Sequence, residues 1–491
     1  MTTTIAGVLR PALRDRPDAP AVVGRSGTLS YAELDRAATA AASAMWYLGV
    51  RPGDRVAACL PNDLDIVVAF HGAQRIGAIW TGINEAYPEG EQRAIADLAA
   101  PALILAGPAC ALRGGAVVDM AALTEVGARA QAAPTVEVDV DAPAGLAFTS
   151  GTTGVPKAVV HSQRNMLLPG AVLVKTRGWG ADLRKGDCLP LTLLNMIILT
   201  TLLTAQAQGC CVLMDRRDVA GVAEWIGRER VTVWNGVPAQ LYDLVRRPEL
   251  DLSSLDEVWC GGAACPDELR LAFEGVHRVP VRATYGLTEA PTVVAIDQVD
   301  APHRPGAAGR VLPHLDVAAY DDSGRRLPAG LTGELLIAAA PRGPWADVWT
   351  PALGEWRDGT VVPTLPVATG DIGAVDAEGW LSVIERKKLV IVRGGANVYP
   401  AEVERVIRRH PAVADVAVFG VPDDRLGEKV AALVQLSAEI DLGVLRSLCG
   451  PHLARYKVPE VWGVVDAFPV NAMGKIIRTG LPGLLERVGS E

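Results

Sequence analysis

Thr149-Ser150-Gly151-Thr152-Thr153-Gly154-Val155-Pro156-Lys157 carries two glycines, four hydroxyl residues, a proline and a closing lysine, with no acid among them. Glycine reaches positive φ without steric cost, so Gly151 and Gly154 allow backbone N–H groups to turn inward. Those donors, the hydroxyls and Lys157 together compose a concave anion site suited to the oxygens of a polyphosphate. The spacing is not that of a Walker loop, in which Gly-Lys is followed by Ser or Thr opening a helix. Here Pro156 precedes the lysine, Ala147-Phe148 leads in and Ala158-Val159-Val160 leads out. The loop is therefore expected to join two strands. A solvated turn is the bland alternative, and the loop's partners elsewhere in the chain decide between the two.

The chain has 491 residues, half of them apolar, with glycine and proline dispersed along its length. That length accommodates two to four domains, and the composition is that of a soluble, loop-rich α/β enzyme. A net charge of -9 argues against non-specific nucleic-acid binding, which needs basic stripes. The N-terminus lacks the basic-then-apolar pattern of a signal peptide. No charged residue falls between Cys188 and Met214, a length that raises a membrane span. Pro190, Asn195, Gln206, Gln208 and Gly209 interrupt it, so a buried helix over about 195–207 turning into a strand over 210–214 is expected instead. The eight cysteines form no C-x-x-C pair, which points to a reducing cytoplasm and away from structural zinc.

Strands and helices alternate through the first 300 residues. Ser30 with Glu33 has capping-box spacing and opens an alanine-rich helix. Strands are expected at 55–60, 78–82 and 102–106, with a helix over 66–76. Three further strands end in loops of small residues: Asn235-Gly236-Val237, Gly261-Gly262-Ala263-Ala264, and Tyr285-Gly286-Leu287-Thr288-Glu289. Ligands of open α/β sheets bind beyond the carboxyl ends of strands, so these loops are candidates for one shared site. From about residue 306 short strands and turns suggest a small barrel-like part. A compact α+β unit of about 100 residues then begins near Lys388, with a loop at Arg393-Gly394-Gly395 and a helix opening at Pro400.

Five motifs follow in order: Thr149–Lys157, Gly261–Ala263, Tyr285–Glu289, Thr369-Gly370-Asp371 with Arg386, and Pro469–Lys475. Together they resemble the adenylate-forming superfamily of acyl-CoA synthetases, luciferases and adenylation domains, over nearly the whole chain. The resemblance implies an α/β fold: a large adenylation domain over 1–387, with two helix-covered sheets and the barrel-like part, and a small mobile domain over 388–491. It implies activation of a carboxylic acid by ATP to an acyl-adenylate, with release of pyrophosphate, then transfer to the thiol of CoA.

The roles that the resemblance implies are these. Thr149, Ser150, Gly151, Thr152, Thr153, Gly154 and Lys157 would hold the β- and γ-phosphates. Gly261, Gly262, Ala263, Tyr285 and Gly286 would line the adenine. Thr288 would donate to the α-phosphate, and Glu289 would reach Mg²⁺. Asp371 would accept from the ribose hydroxyls, with Arg386 beside it. Lys475 would bridge the substrate carboxylate and the α-phosphate. Lys388 matches a hinge, about which the small domain rotates to bring Gly394 and Gly395 towards the entry of the thiol.

The chain departs from the family pattern at several points. The aromatic-His pair of many relatives is missing from Pro190–Met196, Leu389 stands where an acid usually follows the hinge, and residues 340–368 lack the usual Gly-Tyr-Trp segment. The acyl pocket is expected to draw on Asn195, Trp234, Val237, Ala264 and Leu287. It offers no acid for an α-amine, so the substrate is expected to be an apolar carboxylic acid. The alternative is an acyl-AMP ligase that loads a carrier protein or stops at the adenylate. An ATP-binding regulator is disfavoured, because binding alone does not require Lys475.

Overall fold

The computed structural model describes residues 4–149, 157–262, 265–290, 292–357, 359–362, 367–470 and 476–489. The chain divides into two compact units, Met1–Val317 with Ile337–Val367, and Ala318–Leu336 with Ala368–Glu491.

The first unit is built on two large mixed sheets. An eight-stranded sheet runs, edge to edge, Thr360–Val362, Gly354–Arg357, Lys157–Ser162, Pro143–Thr149, Ile79–Gly82, Arg55–Cys59, Leu103–Ala106 and Val117–Asp119. A nine-stranded sheet runs Arg310–Val311, Thr292–Ile296, Val281–Leu287, Glu257–Cys260, Val233–Gly236, Arg184–Asp187, Cys210–Leu213, Pro20–Gly24 and Gly27–Ser30. Parallel pairing fills the middle of the nine-stranded sheet and one side of the eight-stranded sheet, out to its edge strand Val117–Asp119, with helical crossovers such as Leu64–Arg75 between parallel strands. The helices Tyr31–Tyr47 and Leu64–Arg75 share one core with both sheets, through Ala41, Met45, Phe70, Val22, Leu213, Val56 and Trp80. The expected capping box is present: Glu33 N–H donates to Ser30 Oγ at 3.3 Å, and Ser30 N–H donates to Glu33 Oε2 at 2.8 Å. Such a cap contributes ~1 kcal/mol.

The charge-free stretch folds as expected. Leu194–Met196, a π-helical segment Ile197–Leu202 and Leu203–Ala207 form a mostly buried helix, which ends at Gln208 with φ 58° and passes into strand Cys210–Leu213. No helix among the described residues is long and apolar enough to cross a membrane.

The second unit holds the expected small β-part and an α+β part. The former is a four-stranded sheet in the order Leu315–Tyr320, Gly333–Ala339, Val367–Val375, Leu381–Arg386. The latter is a five-stranded sheet of Ala396–Val398, Ile391–Arg393, Gly427–Leu436 and Val413–Asp423, with Val461–Val465 also paired to Gly427–Leu436. Helices Pro400–Ile407 and Leu442–Cys449 cover it over a core of Val403, Ile407, Val416, Val430, Leu445 and Trp462. The boundary expected at 387/388 falls inside this unit. Glu385, at the end of strand Leu381–Arg386, accepts from the Ala401 N–H at 2.9 Å and so fastens the strand to the first turn of helix Pro400–Ile407.

Candidate active site

The parallel register of the nine-stranded sheet sets the ends of Val233–Gly236 and Glu257–Cys260 level with Ala283 in the middle of Val281–Leu287. Gly236 lies opposite Cys260, and Cys260 opposite Ala283, so the loops after Gly236 and Cys260 adjoin Thr284–Leu287. Of this stretch Tyr285–Leu287, expected as a loop, continues its strand and pairs antiparallel with Thr292–Ile296. Close approach explains their glycines. A Cβ at Gly261 would stand 2.2 Å from Thr284 Oγ1, and one at Gly286 would stand 1.6 Å from the Thr292 carbonyl oxygen. Gly262 has φ 76°, in the region that favours glycine. Tyr285 and Thr288 are half-buried at this edge, Leu287 is buried, and Gly286 and Glu289 are exposed. Ala263 and Ala264 lie outside the described residues.

The loop Ser150–Pro156 also lies outside them, but its frame does not. Strands Pro143–Thr149 and Lys157–Ser162 are antiparallel neighbours with Thr149 opposite Lys157, so the loop does join two strands, as expected. Lys157 Nζ stands 3.2 Å from Glu355 Oε1, a partner that the sequence did not announce. Glu355 belongs to strand Gly354–Arg357, which adds to the sheet edge beside Lys157–Ser162. Just before it the chain crosses the site. Thr350 accepts from Asn165 Nδ2, Ala352 N–H donates to the Glu289 carbonyl at 3.1 Å, and Leu353 N–H donates to the Val160 carbonyl at 2.8 Å. The region that lacks the family's segment thus ties the Lys157 strand to the Glu289 turn.

Of the expected acyl-pocket residues, Val237 and Asn195 are half-buried. Trp234 is fully buried, within the core formed by Val222, Ile226, Leu241 and Leu269. Strand residues alternate faces, so Asn235 points to the opposite side, where its Nδ2 donates to Asp187 Oδ2 at 3.0 Å. Asp187 Oδ2 also takes Thr200 Oγ1 and, at 3.2 Å, Lys185 Nζ. Lys185 lies over the Trp259 ring at 5.1 Å. Both members of this pair are wholly buried. Burial pushes the Asp187 pKa up and the Lys185 pKa down, and each opposes the other's shift.

Further along this edge Cys260 and Cys265 flank the glycine loop. The neighbouring Cys260 thiol holds the Cys265 pKa below its ordinary value against burial, with Arg270 and His303 adding to the effect. His303 bridges two carboxylates, with Nδ1 2.8 Å from Asp297 and Nε2 2.8 Å from Asp267. Burial disfavours its charge, but the carboxylates outweigh burial and raise its pKa.

In the second unit, Asp371 and Arg386 are register partners on adjacent antiparallel strands. Arg386 Nε lies 2.7 Å from Asp371 Oδ1, with the carboxylate buried and the guanidinium half exposed. Thr369 Oγ1 accepts from the Asp371 N–H at 3.0 Å across Gly370, whose φ of 68° makes a local irregularity in strand Val367–Val375. Lys388 is exposed in the short turn Lys387–Leu389. Gly394 and Gly395, with φ 58° and 83°, form the tip of the hairpin Ile391–Val398. Lys475 lies outside the described residues. Among the described residues no cluster of three metal-ligating side chains occurs. A lone exposed carboxylate such as Glu289 suits Mg²⁺, which takes one or two carboxylates together with phosphate oxygens and waters.

Two family models match the chain: AMP-binding enzyme over residues 9–341, and AMP-binding enzyme C-terminal domain over residues 402–475. The chain is 32% identical over 479 residues to a long-chain-fatty-acid–CoA ligase of Mycobacterium tuberculosis, covering 92% of each chain. It is 32% identical over 481 residues to a feruloyl-CoA synthase of an Amycolatopsis species, covering 95% of this chain and 96% of the other. The crystal structure of ATP-bound MatB from Rhodopseudomonas palustris superposes with a TM-score of 0.87 at 27% identity, covering 99% of each chain.

Proposed function

The chain belongs to the AMP-binding enzyme family and is an AMP-forming acid–thiol ligase; from that premise we propose which residues carry its two half-reactions and what class of acid it takes. In the first half-reaction a carboxylate oxygen attacks the α-phosphate of ATP, and the bond to pyrophosphate breaks. In the second, the sulfur of CoA attacks the acyl carbon and AMP leaves. Two anions meet in the first step, so fixed cations and donors must offset their repulsion as charge moves to the leaving group.

Lys157 and the loop before it hold the pyrophosphate end. Gly261, Gly262, Tyr285 and Gly286 line the adenine, and the Thr288 hydroxyl donates to the α-phosphate. Glu289 holds Mg²⁺, which neutralises phosphate charge when bound. Asp371 takes the ribose hydroxyls, Arg386 orients it, and Lys475 bridges the carboxylate and the α-phosphate. Lys388 is the hinge between half-reactions, and the Gly394-Gly395 tip serves thiol entry. The observation that carries this reading is the parallel register that sets the ends of Val233–Gly236 and Glu257–Cys260 beside Thr284–Leu287.

The acid is an apolar one, fatty or aryl. Val237 and Leu287 offer apolar contact, and Asp187 is already committed to Lys185, Thr200 and Asn235. The names of the fatty-acid and feruloyl ligases support the same class. Eight free cysteines support a reducing, cytoplasmic setting.

The test is incubation with ATP, Mg²⁺ and a panel of fatty and aryl acids, with and without CoA, read by mass spectrometry. AMP and acyl-CoA are the expected products. Acyl-adenylate that accumulates in the presence of CoA, or that passes only to a carrier protein, overturns CoA as acceptor. Lys475→Ala should suppress adenylation far more than thiol transfer from supplied acyl-adenylate; equal loss in both refutes its assigned role.

A further inference from the structure

Lys157 has its ion-pair partner on the neighbouring strand. Glu355 stands opposite Val159 in the strand register, and Lys157, two residues before Val159, shares that face of the sheet. Diagonal neighbours of this kind are within reach of long side chains, and Lys157 Nζ meets Glu355 Oε1 at 3.2 Å. Arg357, two residues on and on the same face, donates its Nε to Glu355 Oε2 at 2.9 Å. The carboxylate therefore sits between two cations, each taking one oxygen. Glu355 is only 17% exposed while Lys157 is 49% exposed, so the acid is the fixed member of the pair and the lysine the free-swinging one. Arg357, with Lys157 adding to it, holds the Glu355 carboxyl below the usual range against partial burial, so it is ionised at neutral pH.

The backbone makes Glu355 a fixed anchor. Its strand is paired to the Lys157 strand at Gly354, Glu355 and Trp356, and the preceding residues are bonded to the Glu289 turn and to Val160. This carboxylate stands beside a loop whose composition suits a polyanion. An ion pair at this exposure contributes little to stability, ~0.2–1 kcal/mol. It is strong enough to decide where the lysine rests, and weak enough for a polyanionic ligand to displace.

We infer that Glu355 is a positioning residue for the adenylation step: it holds Lys157 at the strand edge, yields it to the polyphosphate of ATP, and takes it back as pyrophosphate departs. The inference rests on the reading of Lys157 as a phosphate-binding cation. Its consequence is a cost in affinity and a gain in release, since every phosphate contact by Lys157 must first break the Glu355 pair. No bond is made or broken covalently; one ion pair is exchanged for another.

The test uses the intact protein and Mg-pyrophosphate as probe, by isothermal titration calorimetry, so that no acid substrate is needed. Glu355→Gln keeps the shape of the side chain and its bond to Arg357 while removing the charge. It is expected to tighten pyrophosphate binding by about two- to fivefold, the range of an exposed ion pair. Lys157→Met is expected to weaken binding, and Glu355→Gln added to it should then change nothing. Raising salt to 0.5 M should shrink the Glu355→Gln effect below about twofold, as screening removes the pair. Arg357→Gln leaves Glu355 to Lys157 alone and should shift affinity the other way, again only while Lys157 is present.

An equal gain from Glu355→Gln in the presence and absence of Lys157 would mean direct repulsion of the ligand, and overturns the inference. No gain from Glu355→Gln beside a clear loss in Lys157→Met overturns it too, while leaving the phosphate role of Lys157 standing. No loss in Lys157→Met removes both. A melting temperature within about 2 °C of the parent protein in each variant excludes misfolding as the cause.

Discussion

Lys185→Met tests the buried ion pair beneath the candidate site. The substitution leaves Asp187 wholly buried with Thr200 and Asn235 as its remaining donors among the bonds described, and with no cation at Oδ2. Breaking a buried pair on one side typically costs ~3–5 kcal/mol. A second route to the magnitude gives a ceiling. Asp187 can escape its charge by binding a proton, and each pH unit above an ordinary aspartate pKa of ~3.9 makes that ~1.4 kcal/mol dearer, so the loss at pH 7 cannot much exceed ~4 kcal/mol. The sign follows from linkage. In the variant the folded pKa of Asp187 lies above its unfolded value, so the deficit is absent below about pH 4 and grows as pH rises towards the folded pKa. At pH 5 the ceiling is only ~1.5 kcal/mol.

The first unit has about 350 residues. Its unfolding entropy is therefore ~0.7 kcal/mol per degree, and a loss of ~4 kcal/mol lowers its melting temperature by ~6 °C at pH 7 and ~2 °C at pH 5. Differential scanning calorimetry of parent and variant at both pH values, in matched buffers, measures this. Adding Asp187→Asn to Lys185→Met removes the stranded charge and should restore most of the loss at pH 7. A deficit that is the same at pH 5 and pH 7, or a double variant no better than the single one, would refute the view that uncompensated charge is what costs.

Three further outcomes are expected. Asp371→Ala removes an acceptor to which a ribose hydroxyl would bond, and loss of a charged hydrogen bond of ~1.5–3 kcal/mol should weaken Mg-ATP binding by about 10- to 150-fold in equilibrium dialysis. An unchanged affinity would detach Asp371 from the nucleotide. Because His303 has a raised folded pKa, its stabilising charge is complete below about pH 6.5 and is lost as pH climbs through the folded value. The melting-temperature advantage of the parent over His303→Gln should therefore shrink between pH 6 and pH 9, and a constant difference would contradict this. Cys265, the half-buried thiol with a lowered pKa, should be the first cysteine alkylated by stoichiometric iodoacetamide at pH 7.5, with Mg-ATP slowing the reaction. Mass spectrometry of the peptide ending at Arg270 reads this, and prior labelling elsewhere would refute it.

Local chemistry was legible wherever neighbours in sequence are also partners in space. The Ser30–Glu33 cap is of this kind, as is the Gln208-Gly209 reversal that turns an uncharged run from a possible membrane span into a helix and strand. The loops after Gly236 and Cys260 could be read because small residues follow apolar runs there, whereas Tyr285–Leu287, expected as a loop, stays in its strand because Thr292–Ile296 pairs with it. The pocket wall was less legible. Alternation in Val233–Gly236 places Trp234 and Asn235 on opposite faces, but which face meets the core depends on the helices packed there. The strand Arg184–Asp187 could not have been found by pattern, since Arg-Lys-Gly-Asp has no apolar residue. It exists because its neighbours complete its hydrogen bonds and Asp187, Thr200 and Trp259 receive its charges.

By itself the sequence carried five motifs in the order of the adenylate-forming superfamily, and that resemblance implied that ATP is used to activate a carboxylic acid. The tertiary structure decided what those motifs answer to. Strand Gly354–Arg357 reads as nothing in particular until it pairs with Lys157–Ser162, and the pairing brings Glu355 to Lys157 across 198 residues of chain. A register between distant strands is set by packing and backbone hydrogen bonds that no local pattern encodes, which is why the partner of the loop's lysine had to be seen rather than read.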